Sequence, residues 1–89
     1  MDESVFEAEL RADGYTEIET KTLVPRPENV AHEHLYSIRG FVLSNTFIVK
    51  QNNHPVSIQP GQPFDVIKGQ LHTEEVGPDG ARSVVGRKY

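Results

Sequence analysis

The sequence predicts an all-β, antiparallel sandwich or barrel preceded by one short α-helix. Three observations lead there. Helical patterning is confined to the opening residues, where Val5, Phe6 and Leu10, with Ala8 and Ala12, offer one apolar side. Everything after Gly14 is short β-favouring runs broken by Gly, Pro and Asn. A chain of 89 residues is one domain, covering 1–89.

The helix is expected over about residues 3–13. Asp2 or Ser4 can cap it, acidic residues occupy the first turn where the dipole favours them, and Gly14 suits the left-handed conformation that ends a helix. The barrel is expected over about 15–89. Tyr15 to Leu23 alternates loosely, and Pro25 and Pro27 impose an extended, non-helical passage. Tyr36–Leu43 and Thr46–Lys50 flank Ser44-Asn45, which reads as a hairpin turn because Asn tolerates positive φ. Residues 51–55 form the next turn. Short strands follow at 56–58, 64–67 and 71–76, with turns at Pro60-Gly61, Lys68-Gly69 and Gly77-Pro78-Asp79-Gly80, and the last strand lies within 81–89.

Composition excludes several functions. There is no cysteine, so disulfides, thiolate metal sites and Cys nucleophiles are ruled out. The net charge of −4 argues against a nucleic-acid binder. Charge is uneven: residues 1–35 carry −6 and residues 36–89 carry +2, which reads as a solvated acidic face near the N-terminus. No apolar run exceeds three residues, so no membrane span is expected. Met1-Asp2-Glu3 is unlike a basic signal-peptide start, and a cytoplasmic location is expected.

Two features carry chemistry. His32-Glu33-His34 places two imidazoles at i and i+2, on one face of an extended chain, where both can reach one ion at about 2.0–2.2 Å. The second is Pro60-Gly61-Gln62-Pro63-Phe64-Asp65-Val66-Ile67-Lys68-Gly69-Gln70-Leu71-His72. Together they resemble the cupin family, whose motifs are G-x5-H-x-H-x3,4-E-x6-G and G-x5-P-x-G-x2-H-x3-N. His32 and His34 match the first motif, with Asn45 at its final Gly. Gly61, Gly69 and His72 fall at the spacing of the second. The motif's Glu position holds Ile38, its Pro position Ile67 and its Asn position Val76. The resemblance covers about residues 20–89. Residues 72–81 look like the small single-domain, RmlC-like cupins grouped with the sugar-binding and dimerisation domains of AraC-type regulators.

The resemblance implies a jelly-roll barrel of six to eight strands with a pocket inside. It implies a divalent ion (zinc, iron, manganese or nickel) on His32, His34 and His72. Glu74 lies two residues beyond His72 and shares its face, as a fourth ligand, a partner to a ligand His, a base or a rim carboxylate. Tyr36, Ile38, Val42, Phe47, Phe64 and Val66 are the expected pocket lining. Glu33, Arg39 and Glu75 should face outward and His54 should be exposed. Three functional readings compete: a metal-binding cupin, enzymatic or of undetermined activity; a small-molecule-binding or sensory module without catalysis; and a metal-free structural barrel. No helix-turn-helix follows, so a DNA-binding role would need a partner chain. The Ser44-Asn45 hairpin would turn Phe41, Leu43 and Ile48 outward, which leads to an expected homodimer through the outer sheet face.

Overall fold

The computed structural model describes residues 2–89; Met1, the first residue of the acidic opening, lies outside them. One helix, α1 (Glu3–Ala12), precedes seven strands: β1 (Thr16–Leu23), β2 (Ser37–Ser44), β3 (Phe47–Gln51), β4 (His54–Ile58), β5 (Pro63–Val66), β6 (His72–Val76) and β7 (Ala81–Lys88). They form a four-stranded sheet of order β1-β7-β2-β5 and a three-stranded sheet of order β4-β3-β6, antiparallel throughout. The class is all-β, as a jelly roll requires, although the two sheets do not close into a continuous barrel among the described residues.

Local chemistry explains the elements. The Asp2 carboxylate accepts the Val5 N–H at 2.9 Å and caps α1. Gly14, at φ +85°, ends it: Gly14 N–H donates to Arg11 O and Tyr15 N–H to Leu10 O, a Schellman pair that ties off the last carbonyls. Asn52 and Asn53 both have positive φ (52° and 62°) and make a two-residue hairpin of the kind that suits strand twist. The expected turn at 51–55 therefore shrinks to these two asparagines, and His54-Pro55 already belongs to β4.

Ser44-Asn45 is not a hairpin. Asn45 has the expected positive φ of 60°, but β2 and β3 lie in different sheets. Both edges of β2 are occupied, by β7 and β5, and both edges of β3, by β4 and β6, so neither has a free edge for the other. The turn carries the chain from one sheet to the other.

Two apolar clusters fill the molecule. Between the sheets lie Val42, Phe47, Val49, Ile58, Phe64 and Val66 with Val76, Ala81 and Val85. Gly40 faces Phe64 directly across β2 and β5, and a Cβ there would sit 2.2 Å from the ring. Only glycine lets that ring lie flat on the backbone. On the outer face of the four-stranded sheet, Phe6 and Leu10 of α1 pack on Phe41 and Val84. Phe6 and Phe41 stack with centroids 5.1 Å apart. Phe41 does point outward, but its own chain covers it. Leu43 packs at the edge of the same cluster, and Ile48 is half-buried on the other sheet.

Candidate functional site

His32 and His34 do not lie on a regular strand. The segment between β1 and β2 runs beside β6 and touches it at intervals, because Pro25 and Pro27 have no N–H to continue a ladder. Arg26 exchanges backbone hydrogen bonds with Val76, Asn29 donates to Glu74 O, and His32 exchanges a close pair with His72 at 3.0 and 2.9 Å. The Asn29 side-chain carbonyl takes the Glu74 N–H at 2.8 Å. Gly69, at φ +78°, donates its N–H to His34 O and anchors the other end.

That lacing sets the histidines. Directly opposed residues in an antiparallel pair point to the same face, and the His32 and His72 rings stand 4.3 Å apart. His34, two residues along, brings its ring to 5.1 Å from His72 and 5.2 Å from His32. Glu74 follows His72 on the inward face of β6, with its carboxylate 3.5 Å from His72 Nε2. One ligand atom from each of His32, His34, His72 and Glu74 lies within 4.8 Å of all the others.

The imidazoles are oriented by backbone. Nδ1 of His32 lies 2.9 Å from Val30 O, and Nδ1 of His72 lies 3.2 Å from Gln70 O. A carbonyl can only accept, so each Nδ1 carries the proton and each Nε2 presents its lone pair. His72 is 1% exposed, and its Nε2 has no hydrogen-bond partner. A buried ring nitrogen aimed at two other imidazoles and a carboxylate, and left unsatisfied, fits a metal ion. Burial, then the neighbouring His72 and His32, push the His34 pKa below its usual value, which favours the neutral, ligating form. Glu74 is held by Arg26, whose Nη2 donates to Oε2 at 2.9 Å, so Oε1 is the oxygen turned toward His72. Tyr36 stacks on His34 at 5.0 Å and carries the Arg87 guanidinium over its ring at 4.8 Å.

A cavity of about 150 Å³ adjoins the cluster, with His34 and Glu74 in its wall. Tyr36, Ile38, Phe47, Phe64 and Val66 line it as well. Val42 does not; it is fully buried in the core between the sheets. Glu33 and His54 are exposed, while Arg39 and Glu75 are half-buried on outward faces. Five residues that belong to the site's surroundings escape a reading of the sequence: Lys21, Arg26, Asn29, Ser83 and Arg87. Only Arg26, a charge fixed between two prolines, left a local trace. Lys21, Ser83 and Arg87 face inward by strand alternation, and which face is inward depends on long-range pairing.

Solved structures resemble this fold. A cupin protein from Bacteroides fragilis superposes with TM-score 0.63 at 11% identity, over 80% of this chain and 63% of its own. A cupin-2 domain protein from Shewanella frigidimarina gives 0.66 at 17%, over 83% and 72%. The fold is that of a cupin. A DMSP lyase from Ruegeria pomeroyi superposes with TM-score 0.68 at 15% identity over 81% of this chain. The chain spans only 37% of that lyase, and less than two thirds of the Bacteroides protein. No family model matches the sequence. No curated protein matches it either. No helix among the described residues is long and apolar enough to cross a membrane.

Proposed function

We propose that this small cupin binds one divalent metal ion through Nε2 of His32 and His72, a ring nitrogen of His34 and the Glu74 carboxylate. The orphaned Nε2 of buried His72 carries the proposal. Three imidazoles and one carboxylate suit zinc, ferrous iron, manganese or nickel. On a five- or six-coordinate ion such a set leaves positions open, and the adjoining cavity gives a small organic molecule access to them. The ion would supply Lewis acidity; Arg26 and the carbonyls of Val30 and Gln70 orient the groups that hold it.

Metal analysis of protein purified without a histidine tag tests this. One equivalent of a transition metal is expected, and His72→Ala should carry none. Full occupancy in His72→Ala would refute the assignment. No metal under any loading condition would refute it too and leave a metal-free binding module or a structural barrel.

A homodimer through the outer sheet face is a separate proposal, with a narrower basis than the sequence offered because α1 covers Phe41. A monomer mass by light scattering at tens of micromolar protein ends it.

A further inference from the structure

Part of the cavity lining is basic. Lys21, Arg26 and Arg87 line it, against the single carboxylate of Glu74. Glu19 and Glu17, which pair with Lys21 at 3.6 Å and Arg87 at 3.4 Å, stand outside the lining. Two buried polar atoms there have no partner. Ser83 Oγ is one, on a residue 1% exposed, and Arg26 Nε is the other. Leaving a buried polar atom without a partner is costly, so a ligand that supplies one is favoured. Ser83 lies directly across from Lys21 in the β7–β1 pairing, so a hydroxyl donor and an ammonium share one inner face. Ile38, Phe64 and Val66 continue the lining along the same sheet, and Phe47 closes it from the other sheet.

We infer that the cavity takes a short-chain carboxylate, its anionic end held by the Ser83 hydroxyl and the Lys21 and Arg26 charges and its hydrocarbon end against the phenylalanine wall. This deepens the metal-site proposal and rests on it for the ligand's approach to the ion, but the carboxylate contacts come from the chain alone. A cavity of about 150 Å³ suits a ligand of few heavy atoms.

The test is a titration of metal-free and zinc-loaded protein with propanoate, propanamide and inorganic phosphate, followed by backbone amide NMR shifts. Propanoate is expected to give saturable shifts at Lys21, Ser83 and their strand neighbours. The isosteric but neutral propanamide should bind about tenfold more weakly or not at all. Ser83→Ala and Lys21→Met should each weaken propanoate by about tenfold. Equal affinity for the acid and the amide, tighter binding of phosphate, shifts confined to other surfaces, or an unchanged Ser83→Ala would each overturn the inference. The two proposals fail separately. Protein that binds propanoate but never zinc sinks the metal site, whereas protein that binds zinc but never propanoate sinks this one.

Discussion

Val84 and Ser83 are neighbours on β7, and they belong to two different kinds of interior. Val84 points outward into the patch under α1, where Phe6, Leu10 and Phe41 leave it no exposed surface. Ser83 points inward to the cavity, equally buried, with its hydroxyl unpartnered. One side of the sheet is finished with hydrocarbon and asks for nothing more. The space between the two sheets keeps polar atoms waiting: His72 Nε2, Arg26 Nε and Ser83 Oγ. The contrast teaches where stability and where binding reside in a domain this small. Close packing, under α1 and in the apolar cluster between the sheets, supplies the first, and the unsatisfied groups around the cavity are held ready for the second.

That division can be broken or sharpened by experiment. The largest effect is expected on the finished side. Phe41→Ala should cost about 3–5 kcal/mol in urea unfolding, the usual penalty for emptying a buried aromatic site. Its folded fraction should still bind one metal equivalent, and loss of metal from correctly folded Phe41→Ala would show that the two sides are not separable. On the waiting side, His72→Ala should lower zinc affinity by ~100-fold or more, while destabilising the metal-free protein less than Phe41→Ala does. Arg26→Gln removes the Arg26–Glu74 ion pair, and zinc affinity should fall by about tenfold with stoichiometry intact. A calorimetric titration giving wild-type affinity would mean that Arg26 does not position the carboxylate.

Acid should act through the waiting side as well. The His34 pKa is lowered in the folded protein, first by burial and then by His72 and His32. The unfolded chain therefore takes up more protons there than the folded one. This contribution to the stability of the metal-free protein is intact above the unfolded value of about 6.5 and is lost as pH falls through the lower folded value. Urea midpoints at pH 8 and pH 5.5 should differ more in the wild type than in His34→Gln; identical differences would refute the assignment. The smallest effect belongs to Ser83→Ala. Removing a buried hydroxyl without a partner should shift stability by less than about 1 kcal/mol, toward the more stable side.

Much of this was legible in the sequence where the signal is local. Gly14, Gly69 and Gly80 sit at positive φ at the ends of elements, and the asparagine pair at 52 and 53 makes its turn unaided. The His32, His34 and His72 spacing was legible because two short-range features, an i, i+2 pair and a Gly69-to-His72 interval, meet across a single bridge. The Ser44-Asn45 crossing was not. A tight turn carries the same residues whether the next strand folds back or moves to another sheet, and the choice is made by β7 and β5 occupying the edges of β2. Glu74 was placed on the correct face by alternation alone. The arginine that holds it comes from the far side of the molecule's sequence, and no local pattern announces that pairing.

The strand order β1-β7-β2-β5 has a consequence for how the molecule comes into being. During synthesis β1 emerges early and finds no neighbour, because its one partner in the sheet, β7, is made last. Until then β2 keeps one edge bare, and α1 lacks Val84 beneath it. A ribosome-bound chain stopped short of Ala81 therefore leaves the β7-facing edges of β1 and β2 unpaired and the Phe6–Phe41 pair without Val84 beside it. Assembly has to wait for β7 to slot between strands already made, an ordering that favours slow, late and cooperative folding over stepwise growth.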